Sequence, residues 1–350
     1  MSEFAETENQ SGTSLGTIAL SDMESHQPPT FDVRPLNASD IDDVKALFLR
    51  SFGHSMTDKF WQWKYGENRG LAVIARDRLN HLAAHYGGMR REIHFQGQPA
   101  IALQIGDVMV PPEARQALSR NGPFFQASSF MLDTQIGYGK PHLLGFGFPN
   151  TRAMRLGEKL GLYAEVDQII EASWEAELCL PWSWRVTPLN LESHSDVSQL
   201  HKLSEIMHKA LPEKIIPIRS PSWWQHRYSK HPTYQYKLLW LKSVWFSRHL
   251  GAFVLRIPSE KNSPWELMDW ICAPAYIPRL IQAAKSYVAQ SGGVAVHAWC
   301  TRSVADWLTQ SGGKLVELNV RIPTSVRQPG PTPQDLKGRW WLMGGDTDFR

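Results

Sequence analysis

Between Gly106 and Gly161 the chain alternates in an order that few folds accept. Gly106-Asp-Val-Met-Val110 reads as a strand, and Arg115 to Gly122 as a turn containing Arg and Gly. A helical run follows to about Tyr138, then a strand across Pro141 to Phe148, then an Asn-led helix from Asn150 to Gly161. A strand that feeds such a turn and then a helix gathers free backbone N–H groups and a positive helix end at one point. That point is a cradle for an anion such as a diphosphate.

Residues 1–30, rich in Ser, Thr, Glu and Gln and poor in apolar side chains, read as a disordered tail. Order is expected from Phe31-Asp-Val-Arg-Pro35, a short strand. A helix capped by Asn37 or Ser39 should follow, with Val44, Leu47, Phe48 and Phe52 on one face. Leu71–Ala75, Leu82–Met89, Arg91–Phe95 and Ala100–Val110 read as strands joined by turns at Gly87-Gly88 and Gln96-Gly97. Pro181 to Glu192 reads as a connection between halves, and a short last strand is expected near Arg339–Met343.

With 350 residues and 42% hydrophobic content, the chain can build two cores of ordinary size. A net charge of +3 does not support wholesale nucleic-acid binding. Three cysteines without metal-ligand spacing read as reduced thiols, and no metal is expected. No apolar run is long enough to span a bilayer and no signal-peptide core stands at the start, so a cytoplasmic location is expected.

The halves repeat weakly. Trp61-Gln-Trp-Lys-Tyr65 matches Trp224-Gln-His-Arg-Tyr228, Asp107 matches Asp269, and Thr151-Arg152 matches Thr301-Arg302. The second copy is shorter where the first carries its Arg/Gly turn. It is therefore expected to lack a phosphate loop and to serve as a structural or substrate-shaping partner. Trp61, Trp63 and Tyr65 are expected as core in preference to walls of a site.

Asp107-Val-Met-Val-Pro-Pro-Glu-Ala-Arg115 with Arg120-Asn-Gly-Pro-Phe124, and above all Asn150-Thr-Arg-Ala-Met-Arg-Leu-Gly-Glu-Lys-Leu-Gly161, resemble the motifs of the GNAT (Gcn5-related N-acetyltransferase) superfamily. Phe60-Trp-Gln-Trp-Lys-Tyr65 and the closing Trp341–Asp348 stretch resemble its tandem bacterial type. The resemblance implies an α/β fold with mixed sheets and two tandem GNAT-like acyl-CoA N-acyltransferase domains. Residues 31–180 would form the catalytic one and 193–350 a second without the phosphate loop. The implied reaction transfers acetyl from acetyl-CoA to a primary amine of a small molecule, such as an amino sugar.

The resemblance also distributes roles. Arg115, Arg120 and the backbone of Asn121, Gly122, Phe124 and Phe125 would hold the diphosphate. The backbone near Met109 and Val110 would polarise the thioester carbonyl, and Asn150 and Arg155 would meet the rest of the cofactor. Asp107 or Glu113 would take the amine proton, with His54, His85 and His142 as further bases. The tyrosine usual on the family's helix is replaced by Gly157, which leaves Tyr163, or Tyr138, to protonate the leaving thiolate. Two rivals stand beside this reading: a non-catalytic tandem-GNAT binding protein, and an acyl or aminoacyl transferase with another donor.

Overall fold

The computed structural model describes residues 31–113, 119–246, 248–260 and 262–349. The expected tail, 1–30, and Arg115 lie outside them. In chain order the first half runs β1 (Asp32–Pro35), α1 (Ile41–Phe52), α2 (Asp58–Tyr65), β2 (Gly70–Arg76), β3 (Leu82–Phe95), β4 (Gln98–Met109), α3 (Pro123–Gln135), β5 (Leu144–Gly147), α4 (Thr151–Lys159) and β6 (Tyr163–Glu175). The rest runs β7 (Trp184–Pro188), α5 (His194–Ala210), β8 (Ile216–Pro217), α6 (Pro221–Trp224), β9 (Tyr236–Ser243), β10 (His249–Arg256), β11 (Trp265–Cys272), α7 (Ile277–Gln290), β12 (Ala295–Thr301), α8 (Ala305–Gln310), β13 (Lys314–Ser325) and α9 (Pro333–Leu336).

These strands make two mixed sheets. The first has the order β1-β2-β3-β4-β5, with β8 also pairing with β3; the second has the order β13-β6-β12-β11-β10-β9-β7. The chain thus crosses from the first sheet into the second at β6. The connection expected at Pro181–Glu192 contains β7, the edge strand of the second sheet.

Alternation along β2 builds the first core. Val73 and Ala75 face Phe124, Ala127, Met131 and Leu132, all on α3. Ile74, between them, faces Val44, Leu47, Phe48 and Trp61 of α1 and α2. Each of the larger aliphatic and Phe side chains, fully buried, contributes roughly 1.5–3 kcal/mol by leaving water. Phe52, expected on the same helical face, is instead 47% exposed. It lines a cleft described below.

Two expectations fail for physical reasons. Gly87 and Gly88 do not turn the chain; β3 passes straight through them. They are small because their outer surfaces are covered: a Cβ on Gly87 would stand 2.4 Å from Tyr65 Oη, and one on Gly88 would stand 2.9 Å from Leu103. Arg339–Met343 forms no strand, only isolated bridges from Trp340 to Ile215 and from Met343 to Cys300. That segment packs as a buried plug, with Trp340, Trp341, Leu342 and Met343 all fully covered.

Candidate active site

β4 and β5 run parallel from Ala102↔Leu144 to Ile105↔Gly147, and there the pairing stops. β4 continues through Gly106, Asp107 and Val108, while β5 gives way to Phe148-Pro149-Asn150. Proline cannot donate to a ladder, and the Asn150 side chain turns to cap α4 by accepting from Ala153 N at 2.9 Å. Asp107 departs from strand geometry, with φ of +49°, and the β3–β4 register shifts between His85 and Gly87. Backbone groups of β4 just past Ile105 therefore have no β5 partner. They face a cleft of about 840 Å3 whose walls include Phe124, Phe146, Phe148, Asn150, Tyr163 and Phe349.

A charged cluster sits on one wall. Lys64 Nζ, at the end of α2, donates to Asp107 Oδ1 at 2.7 Å and to Asp348 Oδ2 at 2.5 Å. Tyr65 Oη donates to Asp107 Oδ2 at 2.7 Å, and His85 Nδ1 lies 2.7 Å from the Asp107 carbonyl oxygen. Burial works to raise the Asp107 carboxyl. The Lys64 charge and the two side-chain hydrogen bonds outweigh it, so Asp107 is held below its ordinary value. Burial likewise opposes the Lys64 charge, but Asp107 and Asp348 prevail and raise it. Burial, then the Asp107 charge, push Tyr65 well up, so it stays a phenol. Burial lowers His85, which stays neutral, with Nδ1–H donating to the carbonyl. Two carboxylates and one ammonium leave this wall with a net negative charge. Gly106 makes the approach possible, because a Cβ there would lie 2.9 Å from Asp348 Oδ2.

Tyr163 also lines the cleft, in the space that Gly157 leaves. A Cβ on Gly157 would fall 1.9 Å from Tyr163 Cδ2, so glycine in the helix and this ring form one packed unit. The Tyr163 hydroxyl is hydrogen-bonded to that of Tyr86. Burial raises both phenols, so both hold their protons at neutral pH.

Other expected site residues lie as follows. Gly122 caps the start of α3 with φ of −79°, followed by Pro123 at the first helical position. Phe124 lines the cleft, whereas Phe125 stacks under Arg327 at 5.8 Å. Arg120 is exposed, its guanidinium close to Gly161. Met109 is buried against the α1 and α2 cluster and Val110 against the α3 cluster. Glu113 pairs with Arg50 at 2.5 Å, both exposed. Arg155 lies on the outer face of α4. Tyr138 is exposed. His54 lines the cleft, while His142 bonds Gln135 O at 3.1 Å. Trp61 is core as expected. Sequence reasoning missed Lys64, whose salt bridge to Asp348 joins residues 284 positions apart. Only the Gly-Asp-x-Asp ending hinted at Asp348.

The second half repeats the framework. Tyr228 Oη donates to Asp269 Oδ2 at 3.1 Å, as Tyr65 does to Asp107. β11 and β12 pair in parallel only at Trp265↔Val296 and Glu266↔His297 and then diverge. Here the gap is filled by the C-terminal segment. Thr301 N donates to Leu342 O at 3.0 Å, and a Cβ on Gly345 would lie 2.0 Å from Tyr228 Oη. Asp346 accepts from Arg91 and Arg219 at 2.9 Å each, and Arg219 also binds Asp269. Burial and the nearby Asp346 push the Asp269 carboxyl up against the pull of Arg219. Arg227 Nε and Nη2 donate to Gly345 O and Thr347 O at 2.9 and 3.2 Å, which delivers Asp348 to the first cleft.

Among the described residues no group of His, Cys, Asp and Glu could hold a metal ion, and no helix is long and apolar enough to cross a membrane. The three cysteines are free.

Residues 32–124 match the family described as acetyltransferase (GNAT) domain. No curated protein matches the chain. Among solved structures, a probable N-acyltransferase from Enterococcus faecalis V583 superposes with a TM-score of 0.62 at 13% identity, over 84% of this chain and 72% of that one. A GCN5-related N-acetyltransferase from Kribbella flavida gives 0.59 at 17% identity, over 84% and 71%. Saccharomyces cerevisiae N-myristoyltransferase with bound myristoyl-CoA gives 0.51 at 10% identity, over 86% and 84%. At such identities the likeness establishes the fold: α/β with mixed sheets, as in the GNAT acyltransferases.

Proposed function

We propose that this chain is an N-acyltransferase that moves an acetyl group from acetyl-CoA to a primary amine of a small molecule, in the cleft between β4 and β5. The observation that carries this reading is the parting of those strands between a phenol, Tyr163, and the Lys64–Asp107–Asp348 cluster. The diphosphate would rest at the start of α3, on the backbone N–H groups of Asn121, Phe124 and Phe125, with Arg120 and Arg115 adding charge; Pro123 has no N–H, and that of Gly122 donates to Ser119 O at 3.0 Å. The pantetheine arm would run past Asn150 along the unpaired edge of β4. A backbone N–H near Val108 would stabilise the oxyanion.

The amine must attack as a free base, because an ammonium has no lone pair. The net negative wall attracts the ammonium, and Asp348 accepts its proton, directly or through water. Asp107, gripped by Lys64 and Tyr65, positions that lysine and keeps the wall's charge. The amine nitrogen bonds to the thioester carbon and gives its second excess proton to water, the C–S bond breaks, and the sulfur takes a proton from Tyr163, which Tyr86 can resupply. Amide and free CoA leave. The first half, residues 31–180, is the catalytic domain in this reading, and 193–350 the supporting one. A coenzyme A donor places the reaction in the cytoplasm.

A second reading, transfer from a longer acyl donor, is favoured by the phenylalanine rings lining the cleft. One experiment addresses both: thermal melting with acetyl-CoA and longer acyl-CoAs, followed by CoA release with a panel of amines. Acyl-CoA should raise the melting temperature. Gly122→Asp should abolish that rise while the protein stays folded, because aspartate is a favourable helix cap but repels a diphosphate. No shift at millimolar acyl-CoA would favour a non-catalytic binding protein.

A further inference from the structure

The wall made by Lys64 and Asp348 has a second side. Behind it lies a cavity of about 460 Å3 bounded by α2, β3 and the segment from Ile218 to Arg227. Lys64 and Asp348 line both spaces, so the carboxylate stands between them. The second cavity is built from both halves of the chain. Trp63 comes from α2 and Trp223 from α6, and Trp63 Nε1 donates to His226 O at 2.9 Å. Trp63, expected as core, is thus 7% exposed yet forms part of this wall.

Its charges are unequal. Lys64, Arg69, Arg90, Arg91 and Arg227 face Glu67, Glu92 and Asp348. Glu67 is bonded by Arg69 and Asp348 by Lys64. Arg91 is held by Asp346 and lies 3.5 Å over the Trp223 ring. Arg90 stands exposed at the rim. The Trp223 Nε1–H is buried with no hydrogen-bond partner among the described residues. A cleft with surplus positive charge between apolar ring walls concentrates anions. At its buried end it offers one carboxylate, which suits an ammonium; toward the rim it offers guanidiniums, which suit a carboxylate or phosphate.

We propose that this cavity is the acceptor site and that the acceptor is a primary amine carrying an anionic group, a carboxylate or a phosphate. The proposal rests on the acyl-transfer reading above and names its second substrate class. Donor and acceptor enter from opposite sides and meet at Asp348. There the ammonium gives one proton to the Asp348 carboxylate and, as the N–C bond forms and C–S breaks, a second to water, while Tyr163 gives its proton to sulfur.

The test uses calorimetry on the full-length protein without any donor. Glucosamine 6-phosphate is compared with glucosamine, and phenylalanine with phenethylamine; the first pair reads a phosphate, the second a carboxylate. At least one anionic member should bind ten times or more tighter than its neutral partner. Arg90→Gln and the rim variant Ser222→Glu should each weaken that binding about tenfold, and neither should alter the acetyl-CoA melting shift. Equal binding within both pairs, or anionic binding untouched by both variants, overturns the proposal. An acetyl-CoA shift with no selective amine binding sinks this site alone. Selective, variant-sensitive amine binding with no acyl-CoA shift supports the anionic-amine site and sinks the donor reading.

Discussion

Each half of the molecule holds an aspartate bonded by a tyrosine, on a strand that parts from its parallel neighbour. In the first half, Asp107 and Tyr65 border an open cleft of about 840 Å3. In the second, Asp269 and Tyr228 are sealed under residues 340–346, with Asp269 only 1% exposed. The same framework thus gives a site in one place and a strut in the other, and the C-terminal segment decides which. That segment plugs the trailing gap through Asp346 and reaches the leading gap at Asp348. Filling one cleft is how the chain furnishes the other with a carboxylate.

This contrast can be broken at several points. The largest effect is expected from Asp346→Asn, which leaves Arg91 and Arg219 buried without their shared carboxylate. Loss of one partner from such a network costs about 3–5 kcal/mol. Denaturant unfolding should show it, and an unchanged midpoint would mean the plug is incidental. Asp348→Asn should spare the fold, because Lys64 keeps Asp107. It should lower turnover by roughly 10²-fold or more, the usual scale for a lost proton acceptor. The acyl-CoA melting shift should persist in that variant, and normal turnover would remove Asp348 from the chemistry.

Gly157→Ala should force the Tyr163 ring aside at a cost of about 1–3 kcal/mol, with turnover falling alongside. A fully active, fully stable variant would show that ring to be mere filling. The smallest effect is a pH dependence, largest in the second half, to which His85, His94 and His142 of the first half, also lowered by burial, add in the same direction. Burial first, with nearby cationic groups, lowers His208 to about 3, His226 to about 4 and His231 to about 3, all in the second half. The unfolded chain protonates these near 6.5 while the folded chain does not, so stability falls as pH drops below 6.5. For His208 the slope approaches about 1.4 kcal/mol per pH unit. In the first half, Asp40 is lowered chiefly by its hydrogen bond with Arg34. Its contribution is present above about pH 3.8 and is lost only below that. Urea midpoints between pH 7 and 4 should therefore decline, and His208→Gln should flatten the decline.

Local signals in the sequence proved reliable where chemistry is local. The Asn150 cap, the strand read at Leu71–Ala75, and the turn at Gln96-Gly97 all rest on neighbours in the chain. Gly87-Gly88 misled because its glycines answer to Tyr65 and Leu103 across the fold, not to a turn. The loss of the helix tyrosine at Gly157 was legible. That the Tyr163 ring occupies its space needed coordinates. The C-terminal segment was least legible, because its apolar run looks like a strand but pairs with nothing in register. The pairing of Asp107 with Asp269 was visible in the repeat, whereas the different fates of the two were not.

The most direct measurement is a structure of the full chain with acetyl-CoA. The account predicts the thioester beside Val108 and Tyr163, the diphosphate at the start of α3, and residues 340–346 undisturbed between β11 and β12. Nucleotide lodged in the trailing gap with that segment displaced, or the leading cleft empty at saturating ligand, would contradict it.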